Sequence, residues 1–242
     1  MRNAHVSNLK RVTLELGGKS ANVITKNANM ETALAQASFG LFFNAGQCCI
    51  AASRTYVHSS HYNEIVNKSI ENVKNIRLGD PLDPKTEQGP LVSKEQYDRV
   101  MGYIEKGVKE GAKLVAGGKR YGSKGYFVEP TIFADVTQDM TIAKEEIFGP
   151  VMCVLKYDNN EDVLKQANDS KYGLGAGVVS EDPSELQYFI DNFKAGTVYA
   201  NCWNILTPMT PFGGYKDSGI GRELGENGLN NYLETKTVIM KK

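Results

Sequence analysis

Residues 21–43 read ANVITKNANMETALAQASFGLFF, and they predict a buried strand followed directly by a helix. Residues 21–25 form a short apolar run that is typical of a strand, whereas residues 30–43 carry an apolar face at helical spacing. Asn29 is placed to cap that helix. Because the helix is almost wholly apolar along this face, we expect it to be deeply buried against a sheet.

The same alternation of strand and helix continues along the chain. Further strands are predicted at residues 55–58, 113–116, 151–156, 175–180 and 196–200. Helices are predicted after Ser59 or Ser60, through the stripe from Tyr97 to Val108, and from near Asn160 and Asp182. This rhythm favours an α/β fold with a mostly parallel twisted sheet and flanking helices. Residues 233–240 alternate from side to side, which predicts an edge strand that a second subunit would complete.

Composition excludes several classes of function. Of 242 residues, 28 are Lys or Arg and 28 are Asp or Glu, so no net charge draws the chain to nucleic acid or to a membrane surface. No apolar run has the length of a membrane-spanning helix. The four cysteines, Cys48, Cys49, Cys153 and Cys202, match no zinc or disulfide framework. We therefore expect no metal site and a reducing compartment, most simply the cytoplasm, with the mitochondrial matrix left open.

Two glycine-rich segments resemble nucleotide-binding motifs but fail the full patterns. Gly18-Lys19-Ser20 ends like a phosphate-binding loop, yet the position that requires the first glycine is Thr13. Gly219 and Gly221 begin like a dinucleotide fingerprint, yet its third glycine would fall on Leu224. Neither segment predicts a phosphate site.

A cysteine and a glutamate are the strongest candidates for chemistry. Gly46 breaks the helical run just before Cys49, so the chain can turn and present a thiol. Glu15 lies between two leucines, and apolar surroundings would raise its pKa and make it a better general base. Taken alone, the cysteines could equally be structural and Glu15 could be a salt-bridged acid. The three histidines lie in a terminal segment and at a strand-to-helix junction, so none is well placed to form a catalytic Cys–His pair.

Four segments in a fixed order carry a family resemblance. They are VTLELGGKS at residues 12–20, NAGQCCI at 44–50, KEEIFGP at 144–150, and PFGGYK at 211–216 with the glycine-rich stretch that follows it to residue 226. Together they resemble the aldehyde dehydrogenase superfamily, most closely its NAD-dependent cytosolic and mitochondrial class of aldehyde and retinal dehydrogenases. The similarity runs from about Ser7 to the last residue.

The resemblance implies oxidation of a small-molecule aldehyde to a carboxylic acid with NAD as cofactor. Cys49 would attack the carbonyl, the resulting thiohemiacetal would give up a hydride, and Glu15 would activate the water that hydrolyses the thioester. Cys48 would be structural. Implied contacts to the cofactor are Glu146, Phe148 and, as a weaker candidate, Gln96. The implied substrate pocket consists of Phe43, Trp203, Leu206 and Phe212, each of which could instead be ordinary core.

The chain is shorter than the members of this family, whose amino-terminal half supplies most of a Rossmann-type cofactor domain. The resemblance therefore implies a fragment with little or no dehydrogenase activity alone, taken from a homo-oligomeric, tetrameric parent. Its expected parts are a remnant of the cofactor domain at 1–17, the catalytic domain at 18–217, a return segment at 218–230 and an oligomerisation strand at 231–242. Two other functions stay open, namely a non-catalytic or crystallin-like oligomerising partner and a thiol esterase that uses Cys49 and Glu15.

Overall fold

The computed structural model describes residues 1–242. The helices are α1 (Arg2–Ser7), α2 (Met30–Phe42), α3 (Tyr62–Asn75), α4 (Lys94–Lys109), α5 (Thr141–Lys144), α6 (Asn160–Asn168) and α7 (Pro183–Asn192). The strands are β1 (Leu14–Glu15), β2 (Ala21–Ile24), β3 (Arg54–His58), β4 (Lys113–Ala116), β5 (Thr131–Ala134), β6 (Val151–Tyr157), β7 (Tyr172–Gly173), β8 (Gly175–Val179), β9 (Thr197–Ala200), β10 (Tyr215–Lys216) and β11 (Gly219–Ile220). None of these helices combines the length and the apolarity that crossing a membrane requires.

Seven strands form the central sheet in the order β4-β5-β6-β3-β2-β8-β9. All neighbours are parallel except β4 and β5, which are antiparallel. This confirms the predicted α/β fold with a mostly parallel sheet. Strand β5 was not predicted; it has four residues, and all of them are buried.

Helices cover both faces of the sheet, and each face has its own apolar core. One core is built around Val23, Tyr56 and Phe133, and the other around Leu41 and Val57. The predicted cap of α2 is confirmed, since the side chain of Asn29 accepts a 3.1 Å hydrogen bond from the backbone N–H of Thr32. That cap fixes the start of α2 where the helix can bury its alanine-rich face.

The segments with the predicted chemistry enter the sheet from one side. Glu15, Cys49 and Glu146 lie shortly before β2, β3 and β6, respectively. Because these three strands are parallel and hydrogen-bonded to one another in the order β6-β3-β2, their amino ends meet at one edge. The topology therefore brings together residues that are far apart in the sequence.

The strand expected at residues 233–240 is absent from this chain. The segment is exposed and has no strand partner, and its backbone is held at Leu233, whose carbonyl accepts a 2.7 Å hydrogen bond from Arg11. Arg11 also forms an exposed 3.0 Å ion pair with Glu234. A strand forms only when a neighbour satisfies its backbone groups, so the predicted pairing of this segment with a second subunit stays a prediction.

Candidate active site

A strained turn presents Cys49 at the end of α2. Asn44, Ala45 and Gly46 all have positive φ, at 51°, 54° and 69°. A methyl group on Gly46 would collide with the carbonyl oxygen of Gly149. Helix α2 ends at Phe42, and the predicted turn at Gly46 is present. The two residues before Gly46 share its left-handed conformation, which is costly for a residue with a side chain.

The loop after this turn is fixed by hydrogen bonds from other segments. The side-chain oxygen of Gln47 accepts a 3.0 Å hydrogen bond from the backbone N–H of Val92. The indole N–H of Trp203 donates a 3.1 Å hydrogen bond to the carbonyl oxygen of Ile50. Cys49 lies between these two anchors, so its half-buried side chain is held in place before any ligand binds.

The glycine pair Gly17-Gly18 allows three segments to approach closely. A methyl group on Gly18 would collide with the carbonyl oxygen of Cys49, and a methyl group on Gly17 would collide with the carboxylate of Glu146. Only glycine leaves room for both contacts. The Gly17-Gly18 pair, which resembles part of a phosphate-binding loop, therefore lies in close contact with both the Cys49 loop and the Glu146 segment.

A cleft of about 370 Å³ opens where these three segments meet. Its lining residues are Glu15, Leu16, Gly17, Cys49, Gln96, Arg99, Glu146 and Phe148. The structure therefore gathers both residues predicted to be catalytic and all three predicted to contact a cofactor. Arg99 was missed by the sequence reasoning, although it lies three residues after Gln96 and so on the same face of α4.

Glu15 is exposed, with a pKa raised by partial burial and by the nearby carboxylate of Glu223. The raised pKa agrees with the prediction, but the two flanking leucines do not enclose the Glu15 carboxylate. In a strand, adjacent side chains point to opposite faces, and Leu16 is itself 46% exposed. The carboxylate faces the cleft and solvent rather than an apolar pocket.

The neighbouring thiols of Cys48 and Cys49 interact with each other. This interaction, burial and the carboxylate of Glu15 all raise the pKa of Cys49. A base that takes up the thiol proton would therefore assist nucleophilic attack by Cys49.

One carboxylate oxygen of Glu146 accepts a 3.1 Å hydrogen bond from the backbone N–H of Gly18. Its backbone carbonyl accepts a 3.0 Å hydrogen bond from the guanidinium of Arg99. Burial raises the pKa of Glu146, opposed by the Gly18 hydrogen bond and by Arg99 and Lys19. The second carboxylate oxygen accepts no hydrogen bond from the protein, and the Glu146 side chain belongs to the lining of the cleft.

Gln96 holds the loop that carries Phe148. Its side-chain amide donates hydrogen bonds of 3.1 Å to the carbonyl oxygen of Ile147 and 2.7 Å to that of Phe148. Phe148 has a positive φ of 58°, so its backbone is in a conformation that such support stabilises. In this chain Gln96 positions the loop, and its contact with a cofactor stays a prediction.

The four predicted pocket residues separate into two pairs. Trp203 and Phe212 are buried, 2% and 7% exposed, in a small apolar cluster against which Cys49 packs. Phe43 and Leu206 are about half exposed on the surface. None of the four lines the 370 Å³ cleft. Their role in binding an aldehyde therefore stays a prediction.

Comparison with known proteins gives a consistent result over nearly the whole chain. Residues 1–238 match the aldehyde dehydrogenase family. The chain is 53% identical over 235 residues to mitochondrial aldehyde dehydrogenase of Mesocricetus auratus, covering 97% of this chain and 47% of that protein. It is 52% identical over 235 residues to retinal dehydrogenase 2 of Gallus gallus, covering 97% of this chain and 45% of that protein. The chain thus spans about half the length of these relatives.

Solved structures agree with the fold. An NAD⁺ complex of an aldehyde dehydrogenase from Bacillus cereus matches with a TM-score of 0.96 and 51% identity, covering 98% of this chain and 48% of that one. A betaine aldehyde dehydrogenase from Staphylococcus aureus in complex with NAD⁺ matches with a TM-score of 0.94 and 39% identity, covering 97% and 48%. The motifs, the fold and these matches together show that the chain belongs to the aldehyde dehydrogenase family.

Proposed function

We propose that this chain supplies the thiol and the base for NAD-dependent oxidation of an aldehyde to a carboxylic acid. One observation carries the proposal: Cys49 and Glu15 line the same cleft as Glu146 and Phe148. A nucleophile, a carboxylate base and a second carboxylate for a hydroxylated ligand meet there. A thiol esterase would need only the first two.

The first step is addition of the Cys49 sulfur to the aldehyde carbon. Because the pKa of Cys49 is raised, its proton must pass to a base, and the Glu15 carboxylate lines the same cleft. The carbon–sulfur bond forms as the carbonyl double bond opens, and the product is a thiohemiacetal on Cys49. Loss of hydride from that carbon and of the hydroxyl proton to solvent restores the carbonyl and leaves a thioester, with Glu15 again present as the carboxylate.

The second step is hydrolysis of the thioester. Glu15 takes a proton from water, the hydroxide adds to the thioester carbon, and the carbon–sulfur bond breaks. The raised pKa of Glu15 suits this role, because a base works best when its pKa approaches the ambient pH. The carboxylic acid leaves, and the sulfur of Cys49 regains a proton.

The cleft fits the nicotinamide end of a dinucleotide. The unpartnered oxygen of Glu146 can accept a hydrogen bond from a ribose hydroxyl. Phe148 offers an aromatic face, and Arg99 supplies positive charge. Bound NAD supplies the acceptor for the hydride. A cleft of about 370 Å³ is at the low end of ligand sites, which are roughly 300–1,000 Å³, so we expect this chain alone to bind a whole dinucleotide weakly.

The compartment and the assembly are also proposed. Four free cysteines suit a reducing compartment, which we take to be the cytoplasm. The exposed segment 233–240, with Val238, Ile239 and Met240 between 70% and 91% exposed, is proposed to pair with a second copy of the chain.

The test begins with an activated ester, because acylation of the thiol needs no cofactor. We expect p-nitrophenyl acetate to give one acetyl group on Cys49, seen by mass spectrometry, together with a matching burst of nitrophenolate. Cys49→Ala should lose both, and the neighbouring variant Cys48→Ala is the matched control that should keep them. Glu15→Gln should acylate more slowly, because it lacks the base that takes the Cys49 proton, and should hydrolyse the acyl group about 100-fold more slowly.

A second measurement distinguishes oxidation from ester hydrolysis. With an aldehyde and NAD at high protein concentration, we expect slow NADH formation that depends on Cys49 and does not saturate with NAD. Ester hydrolysis without any NADH would favour the thiol esterase. If neither reaction occurs in a folded chain, the non-catalytic role is favoured and the proposal is wrong.

A further inference from the structure

Two buried cations lie side by side outside the cleft. Lys19 precedes β2 and Arg54 begins β3, and each is 2% exposed. The side-chain nitrogen of Lys19 has no hydrogen-bond partner. Neither residue forms an ion pair, which is unusual because buried charges are normally paired.

The hydrogen bonds of Arg54 leave one of its donors free. Its guanidinium donates to the carbonyl oxygens of Lys19, Gln166 and Ala167 and to the hydroxyl of Tyr56, at 2.9 to 3.2 Å. An arginine has five N–H groups, so one remains without an acceptor. All four acceptors are neutral, so the positive charge of Arg54 is not compensated.

Both cations line one small cavity. Its lining includes Lys19, Arg54, Asn168, Tyr172 and Lys194. The space open to the centre of a water-sized sphere is about 10 Å³, which is room for one particle of that size. The cavity is therefore too small for a metabolite and holds at most one small particle.

The surrounding charges are mostly positive. Burial, Lys194 and Arg54 all lower the pKa of Lys216, which borders the same region. The carboxylates of Glu145 and Glu146 attract Lys19 but form no ion pair with it. Glu146 accepts a 3.1 Å hydrogen bond from the N–H of Gly18, and Glu145 accepts a 2.8 Å hydrogen bond from the hydroxyl of Tyr103. The nearby thiol of Cys153 is kept neutral because burial raises its pKa.

We propose that this cavity binds one halide-sized monovalent anion, chloride in solution, between the ammonium of Lys19 and the free N–H of Arg54. A single negative charge offsets part of the cost of burying two positive ones, and it supplies the acceptor that both donors lack. A water molecule would satisfy the donors but would leave the charge uncompensated. The site is separate from the Cys49 cleft and does not rest on the proposed activity.

The experiment uses the purified chain in gluconate buffer at fixed ionic strength, titrated with chloride. We expect saturable thermal stabilisation, followed by fluorescence of the single tryptophan, Trp203, and saturable broadening of the chloride NMR line. Lys19→Met should raise the chloride Kd by at least about tenfold, since it removes a charge-assisted hydrogen bond. Lys194→Met, at an exposed position, should raise it only about threefold, because solvent screens that charge.

Lys10→Met removes an exposed lysine away from the cavity and is the matched control, so its Kd should equal that of the unaltered chain. If Lys19→Met does not fold, Lys194→Met and the NMR titration of the unaltered chain decide the question. The proposal is overturned if chloride and gluconate stabilise the chain equally, which would indicate water in the cavity. It is also overturned if the chloride effect persists unchanged in Lys19→Met.

Discussion

Replacement of Lys19 by methionine should stabilise the chain most at neutral pH. Burial, with a smaller contribution from Arg54, lowers the pKa of Lys19 from 10.5 to about 8. Each pKa unit corresponds to about 1.4 kcal/mol, so keeping this ammonium charged in the fold costs about 3 kcal/mol at pH 7. Methionine has a similar length and carries no charge, so the variant avoids that cost.

The sign of the pH dependence follows from proton binding. Between the folded pKa of about 8 and the ordinary value of 10.5, the unfolded chain binds more protons than the folded chain at this position. The contribution of Lys19 to the free energy of unfolding therefore rises with pH across this window. Between pH 7 and pH 10 the advantage of the variant should shrink by about 2 to 3 kcal/mol.

Urea unfolding in chloride-free buffer measures this directly. Fluorescence of Trp203, the only tryptophan and 2% exposed, should change sharply on unfolding. The quantity to compare is the difference in unfolding free energy between the two chains at each pH, because titration of all other groups then cancels. A difference that stays constant from pH 7 to pH 10 would show that Lys19 has an ordinary pKa and that the reasoning is wrong.

Two further changes test packing and capping. Gly177→Ala would drive a methyl group into the ring of Trp203 and should cost about 1–3 kcal/mol in urea unfolding. Gly102→Ala, on a helix with open space around the position, should instead be neutral or stabilising by up to about 1 kcal/mol. Equal losses of unfolding free energy in both variants would contradict the predicted clash with Trp203. Asp182→Ala removes the side chain that accepts a 2.8 Å hydrogen bond from Ser184 at the start of α7 and should cost about 1 kcal/mol, whereas Asp182→Asn should keep most of that stability.

Local sequence patterns predicted the strand-and-helix units well. The Asn29 cap and the turn at Gly46 follow from side chains and backbone freedom within a few residues, and both are present. The four-residue strand β5 was missed, whereas β2 and β8, which are equally buried, were predicted from their apolar runs. The strand expected at residues 233–240 stays a prediction, because its pairing depends on a second subunit that a sequence pattern does not supply.

The sequence by itself determined the order of elements and, through its motifs, the identity of Cys49, Glu15 and Glu146. Only the tertiary structure decided that these side chains line one cleft and that Arg99 joins them, since that depends on which strand ends meet. Burial likewise depends on the packing of distant segments, and it alone separates Lys19 from other lysines. The local sequence pattern predicts secondary structure, whereas the electrostatic environment and burial of a site depend on all the residues that the fold places around it.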